Sequence, residues 1–313
     1  MSQDKPKHSN SYIIIFITIV CFVCALILSV FATLLKPLQE REEEIYQSKQ
    51  LLITAKILND DGQFIVKNSE GKYVSAIFDE KMTTLAPFEN APSAPSLQIF
   101  NLQKLRVVPF LTDEKGDMFT FEQKGIQYEK YLSDNQKYGF AHIPLKLVFK
   151  IYPNVPTAVL KNDAENITPI GYIIPINGYG LWDAIYGFLA IEANGETVIG
   201  TTWYDQKETP GLGANIATPE WQKQFHNKLI FQPNQKGEVN LKSSKLGITV
   251  VKTSVMDELG NSPLAINAVD GIAGATVTRN GVQEAYKSSL GPYRNFLIKI
   301  HEKSKEGAIS EKK

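Results

Sequence analysis

Ile185-Tyr-Gly-Phe-Leu-Ala-Ile-Glu-Ala193, Asn194-Gly195 and Glu196-Thr-Val-Ile-Gly-Thr-Thr-Trp-Tyr204 form the stretch that decides the fold. Two runs rich in β-branched and aromatic residues flank Asn-Gly, the strongest short-range hairpin signal, so the stretch predicts two antiparallel strands. Downstream, Thr218-Pro219 offers an N-cap followed by proline at the first helical position. Trp221, Phe225 and Leu229 then recur every four residues and predict a helix to about Phe231. A strand over 247–253 follows. Val282, Ala285, Tyr286, Tyr293, Phe296, Leu297 and Ile300 predict a C-terminal helix, broken or kinked near Gly291-Pro292. Upstream, residues 62–165 read as short strands and turns, including strands over 73–78, 105–111, 118–122 and 145–152, with a loop over 86–96. The expected fold class is α+β, with helices flanking a mainly antiparallel sheet.

The chain of 313 residues has room for one large or two small domains, and its 33 basic side chains balance 33 acidic ones. No basic stripe with interleaved aromatics points to nucleic acid. From Tyr12 to Leu35 the run YIIIFITIVCFVCALILSVFATLL carries no charge and reaches the ~20 residues that a helix needs to cross a hydrocarbon core. The apolar run of a cleaved signal peptide is shorter, about 7–15 residues, so the expectation is a retained single-pass anchor.

Lys5 and Lys7 precede this span, whereas Lys36 and Arg41 after it are mixed with Glu40, Glu42, Glu43 and Glu44. The charge bias puts the N-terminus in the cytoplasm and the remainder outside, in the periplasmic or extracytoplasmic space. Cys21 and Cys24 both lie in the span, where they read as small apolar packing residues, and no cysteine follows them to form disulfides. Beyond Pro37, the spacing of Ile45, Leu51, Leu52, Ala55 and Leu58 predicts an amphipathic connecting helix. The expected divisions are a cytoplasmic 1–11, a transmembrane 12–35, a connecting 36–60, a first extracytoplasmic part 61–165, a motif-bearing domain 166–300 and a charged tail 301–313.

Several chemistries find no support. Gly178-Tyr-Gly180 and Gly211-Leu-Gly213 are followed by Asp183 and Ile216 where a dinucleotide fingerprint needs glycine, and there is no P-loop Lys-Ser/Thr. His8, His142, His226 and His301 lack metal-ligand spacing, and no Gly-x-Ser-x-Gly elbow occurs.

Three stretches remain. Asp270-Gly-Ile-Ala-Gly-Ala-Thr276 ends in a hydroxyl on a small-residue turn just before a helix start. Gly274 and Ala275 let a ligand approach the backbone, and the helix N–H groups favour an anion such as a phosphate. Helix capping by Thr278 accounts for the same residues without a ligand. Asn177-Gly-Tyr-Gly-Leu-Trp182 either lays Leu181 and Trp182 against a planar ring or buries Trp182 in the core. Glu208-Thr-Pro-Gly-Leu-Gly213 is a stiff-then-flexible loop with a carboxylate and a hydroxyl at one end, a composition that ordinary loops share.

In this order the three stretches, the last continued as Ala273-Gly-Ala-Thr-Val-Thr278, resemble the FMN-binding domain of the C subunit of Na⁺-translocating NADH:quinone reductases. The motifs cover residues 165–290; the span and connecting helix are similar in layout, and 62–165 match loosely. The resemblance implies FMN joined through its phosphate, as a phosphoester, to Thr276 by a separate flavin transferase that reads a pattern beginning at Asp270. It implies a flavin lined by Leu181, Trp182, Thr209, Gly211 and Leu212, with Gly274, Ala275 and Thr278 near the attachment. Glu208 would fix the loop or touch a polar edge of the ring.

The same resemblance implies a membrane-anchored electron carrier within a multi-subunit sodium pump whose NADH site, quinone site and ion path belong to other subunits; no metal is implied. Ala273, where Ser or Thr is usual, bears on transferase recognition, and Gln206, near where many relatives carry His, bears on the loop's polar contacts. One alternative is the related FMN-carrying G subunit of Rnf-type electron-transport complexes, against which the chain length counts. The other is a flavin-free anchored interaction module.

Overall fold

A computed structural model of the chain describes residues 10–79, 81, 83–163 and 166–310, and divides between Tyr46 and Gln47 into two units. Helix α1, Asn10–Thr54, is continuous through Pro37. Its first part is apolar on every side, exposed on every side, and long enough to cross a membrane. Thr18 and Thr33 return their hydroxyls to the carbonyls of Ile14 and Ser29 at 2.9 Å, which satisfies them inside the helix as an apolar solvent requires.

The second unit begins with the last turns of α1, where Leu51 and Leu52 are buried. Strands β1 (Phe64–Lys67), β2 (Tyr73–Phe78) and β3 (Leu85–Pro87) make a small antiparallel sheet. Helix α2 (Ser96–Arg106) runs into β4 (Val107–Thr112), followed by β5 (Met118–Phe119), α3 (Tyr128–Asn135), β6 (Lys146–Ile151) and α4 (Thr157–Asp163). Strands β7 (Gly171–Tyr179), β8 (Ala184–Glu192) and β9 (Val198–Asp205) complete an antiparallel sheet ordered β5-β4-β6-β7-β8-β9. The chain closes with α5 (Pro219–Gln222), β10 (Thr249–Val250), α6 (Val255–Glu258), β11 (Ala268–Val269), α7 (Thr276–Leu290) and α8 (Arg294–Ser310).

The β8–β9 hairpin forms where the sequence predicts it. Asn194 accepts the N–H groups of Glu196 and Thr197 on its side-chain oxygen at 2.9 and 3.0 Å, and Gly195 takes φ 74°. Its strands are apolar on both sides because both faces of the sheet are covered. Leu189, Ile191 and Trp203 pack with Val282 and Tyr286 of α7, whereas Phe188, Ala190 and Ile199 pack with Phe149 and with Leu52 from the end of α1.

Three expectations need correction. The helix from Pro219 ends early: α5 and a 3-10 turn reach only Phe225, and Asn227 at φ 62° reverses the chain. Leu229 then bridges to Thr197, and Ile230 donates its N–H to the Glu196 carbonyl at 3.0 Å, so pairing with the sheet edge overrides the four-residue repeat. Thr218 and Pro219 do stand at the N-cap and first helical positions, although the Thr218 hydroxyl donates to the Asn215 carbonyl at 2.8 Å and makes no capping bond of its own. The strand over 247–253 shrinks to β10, which pairs in parallel with β11. Finally, 62–165 contains α2, α3 and α4 as well as strands; α2 buries only Ile99, Leu102 and Arg106, too few apolar positions to announce a helix. The break near Gly291-Pro292 is a 3-10 turn, Gly291–Tyr293, and α8 continues through 301–310.

Candidate functional site

Strand β7 ends at Tyr179 and turns through residues 180–183 into β8, the turn closed by a bond from Gly180 N–H to the Asp183 carbonyl at 2.8 Å. After β9 comes the loop 206–212. Helix α7 lies on β7. Gly281 permits this approach, because a Cβ there would collide with the Tyr179 carbonyl. The first turn of α7 is thereby set beside the 180–183 turn.

Glu208 joins all three stretches. Its carboxylate, only 5% exposed, accepts the N–H groups of Leu181 at 3.1 Å and Trp182 at 3.0 Å, and the hydroxyl of Thr278. Burial alone would push this carboxyl up; the bonds from Thr278, Trp182 and Leu181 outweigh it and hold the group below the ordinary glutamate value. Gln206 accepts the Glu208 N–H at 2.6 Å, and the Trp182 indole N–H donates to the Thr209 hydroxyl at 3.1 Å. Gly211 supplies the positive φ, 75°, on which this loop turns.

Two open readings are settled by this geometry. Thr278 is not the N-cap of α7: Ala275 holds that position, Thr276 is the first helical residue, and the Thr278 hydroxyl serves Glu208. Trp182 is not in the core but exposed.

Thr276 is exposed, and among the described residues its hydroxyl has no hydrogen-bond partner. The first intrahelical bond of α7 runs from Arg279 N–H to the Ala275 carbonyl at 2.9 Å, so the N–H groups of residues 276–278 precede the ladder and sit at the positive end of the helix dipole. Gly274 turns at φ 73°, and a Cβ there would stand 2.9 Å from Leu212 Cδ2, which places Leu212 against the turn. Leu181, Trp182, Leu212 and Val277 all expose large apolar side chains. Asp270 braces the base of the turn: its carboxylate accepts the Val255 N–H at 2.7 Å, its N–H donates to the Gln224 side chain at 2.9 Å, and its carbonyl accepts the Trp221 indole N–H at 2.9 Å. Sequence reading missed Val277 and the Glu208–Thr278 bond, since nothing periodic connects positions 70 residues apart.

The residues fit a flavin nucleotide: an unengaged hydroxyl and free N–H groups for a phosphate, and an aromatic and aliphatic surface for a planar ring. Fold and site thus define an α+β domain that follows an apolar helix and offers a surface suited to a planar ligand bearing a phosphate. Residues 180–291 match the FMN-binding domain family. The Na(+)-translocating NADH-quinone reductase C subunit of Chlamydia caviae is 40% identical over 98% of this chain and 100% of its own length, and that of Chlamydia pneumoniae is 38% identical over 97% and 99%. The chain belongs to the family of Na(+)-translocating NADH-quinone reductase C subunits. The crystal structure of the Parabacteroides distasonis C subunit, 23% identical, shares the fold with a TM-score of 0.51 over 84% of this chain and 96% of that one. Relatives that match end to end disfavour the Rnf-type alternative.

Proposed function

We propose that this chain is the FMN-carrying, membrane-anchored subunit of a Na⁺-translocating NADH:quinone reductase, where it passes electrons between partner subunits that hold the NADH and quinone sites. The observation that carries this reading is Thr276, an exposed and unengaged hydroxyl at a helix start inside the family's matched segment. The FMN phosphate is joined to the Thr276 oxygen as a phosphoester. When bound, the flavin supplies reversible electron uptake, chemistry that no side chain here provides.

The chain's own residues do the rest. The N–H groups of residues 276–278 offset the phosphate charge, with Gly274 and Ala275 leaving it room. Leu181, Trp182, Leu212 and Val277 would offer the ring an apolar surface and keep water from it. Thr209 orients Trp182, Gly211 allows its loop to turn, and Glu208 with Thr278 holds the stretches in register. A flavin transferase that reads from Asp270 would make the attachment during maturation, the Thr276 oxygen losing its proton and displacing a nucleoside monophosphate from the FMN phosphorus of a flavin dinucleotide. Helix α1 holds the domain at the membrane, with the N-terminus cytoplasmic and the domain outside.

Mass spectrometry of the peptide containing Thr276, from a host that supplies the transferase, tests the attachment. The expected result is FMN on Thr276 and a fluorescent band on a denaturing gel; a dark band defeats the proposal and leaves an anchored interaction module, whereas FMN on another residue defeats the assignment to Thr276.

A further inference from the structure

One turn beyond Thr276, Arg279 is half-buried and its guanidinium spans two neutral partners. One terminal nitrogen donates to the Val250 carbonyl at 2.8 Å and the other to the Asn280 side-chain oxygen at 2.6 Å. These bonds use two of the five N–H donors of arginine, and among the described residues no carboxylate pairs with the group. Gly281 sets this part of α7 against the Tyr179 end of β7, whereas α4 precedes the Gly171 end, about 26 Å away at the usual rise of a strand.

On a helix surface the residues three and four positions along flank a given residue, with Cβ atoms about 5–6 Å apart, and side chains tilt toward the N-terminus. Arg279 and Asn280 stand in those two positions relative to Thr276, so a guanidinium that bridges their side chains lies on the face that Thr276 occupies. Val250, its other anchor, is held on the same face by Gln283, whose side-chain oxygen accepts the Val250 N–H at 3.1 Å. A phosphate esterified to Thr276 keeps one negative charge, and the N–H groups of the helix start offset only about half of a unit charge. The planar fork of arginine matches phosphate oxygens. We propose that Arg279 is the counter-charge of the FMN phosphate, its unused N–H donors binding the phosphate oxygens while the Val250 carbonyl holds the guanidinium in place. This rests on attachment at Thr276, and it makes Arg279 the residue that tells a phosphorylated flavin from an unphosphorylated one.

The test is binding of FMN and of riboflavin, which differ only in the phosphate, to the detergent-solubilised full chain made without the transferase, read by flavin fluorescence. Wild type should bind FMN about tenfold more tightly than riboflavin. Arg279→Gln should cut that preference about fivefold and Arg279→Lys should restore part of it, with riboflavin affinity unchanged in both. A merely structural role would weaken both flavins alike; that result, an undiminished preference in Arg279→Gln, or no preference in wild type overturns the proposal. If Arg279→Gln does not fold, Asn280→Asp decides, because a carboxylate at this exposed position occupies the guanidinium: the FMN preference should fall, and an unchanged preference overturns the proposal. FMN on Thr276 together with an unchanged preference defeats this inference alone, whereas a dark gel band from a host with the transferase defeats the reading on which it rests.

Discussion

Phe22 in α1 and Trp182 in the turn after β7 are equally exposed, each at 68%, yet their surroundings assign them different solvents. Around Phe22 the helix offers apolar side chains, and the hydroxyls of Thr18 and Thr33 are bonded within the helix. Around Trp182 stand Thr209, the Glu208 hub and the Thr276 hydroxyl at a helix start. The proposed function assigns lipid to the first surface and a ring that carries a phosphate to the second. Exposure alone therefore says little; the polar groups at the edge of an apolar patch say what covers it.

The strongest way to break this contrast is Thr276→Ala, which should abolish attached flavin on a denaturing gel, whereas Thr276→Ser should retain a fraction because the hydroxyl survives. Next comes Phe22→Arg, which places a charge in the apolar helix and should oppose insertion by about 2.5–3.5 kcal/mol, read as loss from the membrane fraction. Trp182→Arg should leave membrane fractionation unchanged and lower attached flavin. Equal effects of both substitutions on fractionation would erase the distinction between the two surfaces.

A smaller effect is expected of Glu208→Gln, about 2 kcal/mol of stability in urea unfolding, from the loss of charge-assisted bonds to two N–H groups and a hydroxyl. Because the folded carboxyl titrates below its unfolded value, its contribution is complete above the ordinary value of about 4.5 and is lost as pH falls through the lower folded value. Wild type should therefore lose stability on acidification through that window, and Glu208→Gln should lose less of it; identical acid profiles would remove Glu208 from the account. The smallest change is Gly213→Ala, whose Cβ would stand 2.5 Å from Thr278 Oγ1 and 2.7 Å from Glu208 Oε2. It should cost about 1 kcal/mol and reduce attached flavin without affecting membrane association.

Legibility followed the range of the interactions. The hairpin at Asn194-Gly195 and the break at Gly291-Pro292 are local events governed by turn chemistry, and both stand where the residues place them. The helix expected to reach Phe231 is equally local in pattern, but Leu229 bridges to Thr197 and Phe231 to Leu246, and the segment leaves it. Helix α2 carries too little apolar periodicity to be read without the surface on which it packs, and α3 and α4 are only 8 and 7 residues long. At the site the three stretches were legible as motifs, but the residues alone left open whether Thr278 caps the helix or faces the site.

By itself the sequence determined the apolar span, the antiparallel hairpin and the presence of a hydroxyl on a small-residue turn, because length, alternation and residue size act over a few neighbours. Only the tertiary structure decided which threonine is free and which is engaged. Glu208, far along the chain from Thr278, reaches it because Gly281 lets α7 lie on β7. That bond occupies Thr278 and leaves Thr276 at the exposed end of the helix, a distinction between two hydroxyls two residues apart that no local rule can draw.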